Sequence, residues 1–361
     1  METGKIRFAV VGCGHIGKRH IEMIRRNPEA ELSAVCDILP VDFPPAPYFS
    51  SLDDLLSSGI AFDVLNICTP NGLHAPMAIR GLETGHHVVI EKPMALNTQE
   101  AGRILQVAEQ YNRNVFCVMQ NRYSPPSVWM KEVIDSGRLG KIFLVQVNCY
   151  WNRDERYYRP GGWHGTKDLD GGTLFTQFSH FIDLMYWLFG DITNIRARFA
   201  DFNHQALTGF EDSGIVSFEF TGGGMGLFSY STSVYDRNFE SSVTIIAEKG
   251  TVKIGGQYMN EVEYCYIKDY TLPELAPTNP GNDYGAYKGS AQNHHYVIAN
   301  VVNVLRNKAG ETITTHAQEG YKVVDIIERI YGTPEKTGVC PKTPQVADLR
   351  HKHDTPNLCL N

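Results

Sequence analysis

Ile6-Arg7-Phe8-Ala9-Val10-Val11-Gly12-Cys13-Gly14-His15-Ile16-Gly17 carries two signals in one short run. The unbroken apolar stretch through Val11 reads as a strand buried on both faces, the habit of a parallel sheet covered by helices. The G-x-G-x-x-G at Gly12, Gly14 and Gly17 would mean little alone in a chain with 33 glycines. Here it follows a strand and opens a helical pattern over 16–26, the setting that gives the motif its meaning. Working outward, strand-like runs recur at 31–37, 63–69, 87–91 and 114–120, with helical periodicity at 76–84 and 98–110. Alternating strands and helices predict a doubly wound α/β Rossmann domain over residues 1–122.

The pattern changes after residue 122. Ser124-Pro125-Pro126 opens a helix to 135, and longer strands follow at 141–151, 192–202, 214–220, 225–234, 242–247 and 251–254. Val216, Phe218 and Phe220 share one strand face, whereas Ser217 and Glu219 share the other. That alternation fits an antiparallel sheet with one side against helices. With helices at 292–306 and 317–331, residues 123–331 read as an α+β domain built on a large, mainly antiparallel sheet. Substrate binding and oligomerisation are expected there. Residues 332–361, with Pro334, Pro341, Pro344 and Pro356, read as an extended C-terminal tail.

Composition narrows the function. Of 361 residues, 33 are Lys or Arg and 40 are Asp or Glu, a net charge of −7 that disfavours a nucleic-acid partner. No run approaches the apolar length of a membrane span, and the mean hydropathy is −0.25. Gly12 interrupts the first apolar run too early for a cleavable signal, so a cytoplasmic protein with no membrane partner is expected. The eight cysteines contain no Cys-x-x-Cys pair, which suits reduced thiols rather than disulfides or zinc. No metal is expected either at His86-His87, His294-His295 or His351 and His353, which lack ligand spacing with carboxylates.

Each glycine of the first turn has a separate task. Gly12 permits the tight turn, Gly14 lets a pyrophosphate approach the backbone, and Gly17 brings helix and strand together. The helix N-terminus, beginning at His15 and Ile16, offers free N–H groups to phosphate. Asp37 stands 20 residues beyond Gly17, where a carboxylate accepts hydrogen bonds from ribose hydroxyls. A 2′-phosphate about 4 Å from it would cost roughly 4 kcal/mol at an effective dielectric near 20. No Lys or Arg follows in Asp37-Ile38-Leu39-Pro40, so the expected cofactor is NAD.

Thr69-Pro70-Asn71-Gly72-Leu73-His74 and Glu91-Lys92-Pro93 end the next strands, and Asp170-Gly171-Gly172 precedes His180 and Asp183. In this order the chain resembles the glucose–fructose oxidoreductase / inositol dehydrogenase (Gfo/Idh/MocA) family over about residues 5–331. Within it, Gln120-Asn121-Arg122, Val145-Gln146-Val147-Asn148, Leu169-Asp170-Gly171-Gly172 and Ser242-Val243-Thr244-Ile245 are most similar to the UDP-N-acetylglucosaminuronic acid 3-dehydrogenases of surface-polysaccharide pathways. The resemblance implies an NAD-dependent oxidoreductase that turns a sugar 3-hydroxyl of a UDP-linked acetamido uronate into a ketone, as a homodimer or homotetramer. It also implies a cofactor site of Gly12, Gly14, His15, Ile16, Gly17, Asp37, Thr69, Pro70, Asn71, His74, Glu91, Lys92 and Gln120. Substrate would meet Lys92, Asn121, Arg122, Tyr157, Trp163, His164, Thr176, Gln177 and His180. Two readings stay open beside it: a dehydrogenase of a free sugar or cyclitol, and a non-catalytic sugar- and dinucleotide-binding regulator.

The chemistry supports catalytic roles for Lys92 and His180. Strand C-termini of an open α/β sheet face the ligand crevice. Lys92 is an ammonium able to stabilise a developing alkoxide, and an imidazole near its ordinary value can take the hydroxyl proton. A proton shared between the two is an open alternative. Thr176 stands where polyol-oxidising relatives carry Asp, which disfavours an inositol-like substrate. His164 replaces an Arg that often follows the Trp, so a substrate carboxylate would need another cation. Arg153, Arg156, Arg159 and Lys167 are the candidates.

Overall fold

The computed structural model describes residues 4–41, 46–285 and 287–333. Beyond Thr333 the expected tail lies outside the described residues. The first part of the chain runs β1 (Ile6–Val11), α1 (His15–Arg26), β2 (Ala30–Cys36), β3 (Tyr48–Phe49), α2 (Leu52–Ser57), β4 (Val64–Ile67), α3 (His74–Glu83), β5 (His87–Ile90), α4 (Thr98–Gln110) and β6 (Val115–Cys117). Its six strands are ordered β3-β2-β1-β4-β5-β6, and every pairing is parallel. The chain reverses direction across the sheet between β1 and β4, so the C-terminal ends of these two strands flank the crevice where such sheets bind ligands.

Local chemistry sets several boundaries. Asn97 caps α4 by accepting the Glu100 N–H at 2.8 Å, and Ser51 caps α2 by accepting the Asp54 N–H at 3.1 Å. The short strand β3 and helix α2 carry too little periodicity to be read from sequence.

The second part runs α5 (Pro125–Asp135), β7 (Ile142–Tyr150), α6 (Thr173–Thr176), α7 (Ser179–Phe189), β8 (Ile192–Ala200), β9 (Ser213–Phe220), β10 (Met225–Ser231), β11 (Glu240–Ala247), β12 (Gly250–Gly255) and β13 (Glu261–Ile267). Then come β14 (Gly281–Asp283), β15 (Lys288–Ala291), α8 (His294–Leu305) and α9 (Ala317–Tyr331). The seven-stranded sheet is ordered β13-β12-β11-β7-β10-β9-β8. It is antiparallel except where β10 runs parallel to β7. Val145, Val147, Val216, Phe218, Phe228 and Ile245 bury its inner face. The same core continues through α7 and α9 to one face of the parallel sheet.

The last two helices return to the first sheet. Val297, Ile298, Val301 and Val302 of α8 join the core of Phe8, Val10 and Ile24. Helix α9 packs between α4 and α7. Thus the chain that leaves the parallel sheet after β6 comes back to cover it, which places residues from both ends of the sequence around one cleft. Among the described residues no helix is long and apolar enough to cross a membrane.

Candidate active site

A cleft of about 760 Å³ opens where the C-terminal ends of the parallel strands meet the chain from Trp151 to His180. One wall is the β1–α1 turn. Gly12 holds φ at +85°, and a Cβ there would lie 2.6 Å from the Cys68 carbonyl. A Cβ on Gly17 would overlap the Gly12 carbonyl, whereas Gly14 faces open space. Helix and strand are therefore locked together while the turn leaves room for a phosphate at a helix N-terminus, a cradle that fits a dinucleotide. Asp37 accepts N–H groups from Cys13 at 2.6 Å and Leu39 at 2.9 Å, which fixes its carboxylate at the cleft edge.

The next strand ends supply the floor. Thr69, Pro70 and Asn71 follow β4, and Glu91 and Lys92 follow β5; all line the cleft with Gln120, His15 and Ile16. His74 sits with its ring nitrogens 2.7 Å from the Pro93 carbonyl and 2.9 Å from that of Thr69, tying the two strand ends together. Asn71 donates to the Asp170 carbonyl at 2.8 Å and to Thr176 Oγ1 at 2.7 Å, and so braces the facing wall.

Lys92 and His180 meet in this cleft. The Lys92 ammonium donates to the Thr176 carbonyl at 2.6 Å. Burial lowers its pKa, against the pull of Glu91. His180, on α7, is buried with one edge on the cleft; burial and then Lys92 push its pKa well below the ordinary imidazole value. A neutral imidazole beside an ammonium is an acceptor and a donor side by side. Asp170, linked to Thr176 Oγ1 and to the Gly165 N–H at 2.8 Å, is pushed up to about 6 by burial.

The facing wall is made of side chains held by side chains. Arg153 is fully buried, with its guanidinium about 5 Å from the ring centres of Trp151, Tyr157 and Tyr287. Its hydrogen bonds go to neutral oxygens only: Gln177 Oε1 at 2.7 Å, Asn238 Oδ1 at 3.1 Å, and the Asn152 and Lys288 carbonyls. Gln177 passes the link on to the Tyr157 hydroxyl at 2.8 Å. The Trp163 and His164 rings stack at 3.9 Å, and burial pushes His164 down to about 4.

Most expected site residues thus converge, but three do not line the cleft. Arg122 is buried in a two-pronged pair with Asp183, at 2.6 and 2.8 Å, and reaches Glu319 at 2.8 Å. It joins the chain after β6 to α7 and α9 and has no charge to spare for a substrate. Asn121 turns inward, its Oδ1 accepting from Ser290 at 2.5 Å. Gly17 also lies off the cleft, in its packing role. Of the cations proposed for a carboxylate, Arg156 pairs with Asp154 at 2.7 Å, and Arg159 and Lys167 are exposed. Arg153 alone of these four is buried at the cleft.

Residues the motifs did not reveal also line it. Tyr284 and Tyr287 arrive from the segment before β15, with Tyr284 edge-on to His15 at 5.3 Å. Their only sequence signal is aromatic content in a loop. His20 and His294 come from α1 and α8 to Glu91, with His20 Nε2 at 2.9 Å. That contact is a hydrogen bond, and His294 Nε2 stands 3.5 Å from the same Glu91 oxygen. The other clustered trio among the described residues, Asp201, His204 and Asp212, is likewise knit internally and holds the Arg153 carbonyl through His204.

Comparison with known proteins places this geometry. Residues 6–119 match the oxidoreductase family, NAD-binding Rossmann fold, and residues 128–253 match the GFO/IDH/MocA C-terminal domain. The WlbA dehydrogenase of Bordetella pertussis, solved with NADH and UDP-GlcNAcA, is 32% identical over 91% of this chain and 96% of its own, with a TM-score of 0.79. WlbA from Chromobacterium violaceum, solved with the same two ligands, is also 32% identical, over 92% and 94%, at a TM-score of 0.81. An inositol 2-dehydrogenase of Rhizobium meliloti is 26% identical over 75% of this chain and 82% of its own. With the glycine cradle, the Glu91-Lys92 strand end and the His180 helix around one cleft, the chain belongs to the Gfo/Idh/MocA family of NAD-dependent oxidoreductases.

Proposed function

We propose that the protein oxidises the 3-hydroxyl of a UDP-linked acetamido uronate, UDP-N-acetylglucosaminuronate, with NAD. The observation that carries this reading is the meeting of Lys92, His180 and the buried Arg153 in one cleft beside the dinucleotide cradle. The two WlbA enzymes, 32% identical over more than nine-tenths of the chain, support the same substrate class. Residues 1–122 are assigned as the NAD domain and 123–331 as the sugar-binding and oligomerisation domain.

Bound NAD supplies the acceptor for the hydrogen leaving the sugar carbon. The chain's own groups handle the hydroxyl. His180, kept neutral by burial and by Lys92, takes its proton, and the Lys92 ammonium stabilises the oxygen as negative charge develops. Arg153 gives the far wall a positive charge with no carboxylate in hydrogen-bond contact, which suits an anionic sugar. Tyr157, Trp163 and His164 offer flat surfaces for the sugar or base. Thr176, engaged with Asp170 and Asn71, brings no carboxylate to the sugar, which disfavours a polyol.

The outer face of the large sheet carries a cross-strand row of Tyr266, Thr251, Ile246, Leu144 and Met225, in which Tyr266, Ile246, Leu144 and Met225 are exposed. It supports pairing of two copies, in a cytoplasmic homodimer or homotetramer. The assignment of the 3-position is tested with substrate deuterated there. Mass spectrometry of the reduced cofactor should find the label transferred from C3. Reduced cofactor formed without the label would reject the assignment.

A further inference from the structure

Behind Lys92 lies a group of buried ionisable side chains that the reaction above does not use. Glu91, at the end of β5, is met by His20 from α1 and His294 from α8, and all three are buried. Asn66 Nδ2 stands 2.9 Å from His20 Nδ1, and with that amide donating, the His20 proton sits on Nε2. It is donated to Glu91 Oε1 at 2.9 Å. His294 Nε2 lies 3.5 Å from the same oxygen, and Glu91 Oε2 accepts the Lys92 backbone N–H at 3.1 Å. The strand's neighbours Val88, Val89 and Ile90 fill comparable positions with hydrocarbon. Three ionisable groups in such a place carry a desolvation cost that packing alone does not require.

We propose that His20 and His294 hold Glu91 as a permanent carboxylate whose negative charge keeps the Lys92 ammonium protonated in the cleft. They are positioning residues, acting on the reaction through Lys92, and the proposal rests on the role given to Lys92 above. The charges around Lys92 show why one fixed anion is needed. Glu91 and Asp170 favour the ammonium, while burial and Arg153 oppose it. His164 and His180 feel the Lys92 charge from the facing wall, and His74 from α3. Asp170, at about 6, gives up its charge on mild acidification. Glu91 does not: burial opposes its ionisation, but His20 and His294 overcome that and hold it well below the usual carboxylate range. Cys68 and Tyr284 also lie within its field and are both disfavoured from ionising by it. Glu91 is therefore the anion that persists across the neutral range.

The test is the pH dependence of Lys92 carbamylation by cyanate, read by mass spectrometry on the full chain. Only the free amine reacts, and neither sugar nor NAD is needed, so an error in the substrate assignment would leave this readout intact. In Glu91→Gln the Lys92 midpoint should move to lower pH by about 1–2 units, the usual effect of losing a neighbouring opposite charge. In His20→Gln the side-chain amide replaces the Nε2 donor, and the midpoint should stay at the parent value. In His20→Leu it should move part of the way down. An unmoved midpoint in folded Glu91→Gln overturns the proposal. If that variant does not fold, identical midpoints in His20→Leu and His20→Gln overturn it instead.

Discussion

Along the β1–α1 turn the cleft is lined by backbone; across from it, between Trp151 and His180, it is lined by side chains that other side chains hold in place. In the first region Gly12, Gly14 and Gly17 shape the wall by lacking atoms, and recognition falls to N–H groups and the helix end. In the second, Arg153 is fixed by Gln177 and Asn238, Gln177 by Tyr157, and Thr176 by Asn71 and Asp170. A backbone wall is specified by consecutive residues and serves any dinucleotide. A side-chain wall is assembled from distant segments, and it is where one sugar can be told from another.

The contrast gives testable differences. The largest effect is expected in the backbone region: Gly17→Val puts side-chain atoms into the Gly12 carbonyl, and calorimetry should detect no NAD binding. Lys92→Ala should bind NAD normally yet lose roughly 10²–10³-fold in the rate of reduced-cofactor formation, as when one stabilising donor is removed. His180→Ala should fall by about 10²–10⁴-fold. In the parent protein burial and Lys92 favour neutral His180, so activity should survive as pH falls through about 6.5, the ordinary histidine value. A stopped-flow pH profile whose acid limb lies above that value would contradict this. Next comes Arg122→Leu, which leaves Asp183 buried without its partner; denaturant titration should show a loss of about 3–5 kcal/mol. The smallest and most specific change is expected for Arg153→Met. Its kcat/KM should drop about 10-fold for the uronate while hardly changing for UDP-N-acetylglucosamine, an effect of about 1.4 kcal/mol on charge recognition.

What the sequence reveals follows the same division. The parallel sheet, its first turn and helices α4 and α9 are legible because periodicity and glycine placement are local properties. The position of Asp37, Lys92 and His180 at the cleft is legible because they occur beside motifs. The place of Arg122 off the cleft is not legible, because its partners Asp183 and Glu319 come from two helices far along the chain. The histidines around Glu91 are hidden for the same reason: 71 residues separate His20 from it, and His294 arrives only because α8 folds back onto α1. Short elements such as β3 and α2 carry too few residues for a pattern to rise above chance.

The central claim, that Lys92 and His180 assist the oxidation of a nucleotide-linked uronate by NAD, is tested most directly by mixing protein, NAD and UDP-N-acetylglucosaminuronate at near-equal concentrations. The near-ultraviolet absorbance of reduced nicotinamide is then followed, with myo-inositol, glucose and UDP-N-acetylglucosamine in parallel; equal concentrations reveal a single turnover even where the reduced cofactor stays bound. The expected result is a rise with the uronate that is lost in Lys92→Ala and His180→Ala. A rise with a free polyol and none with the uronate would contradict it.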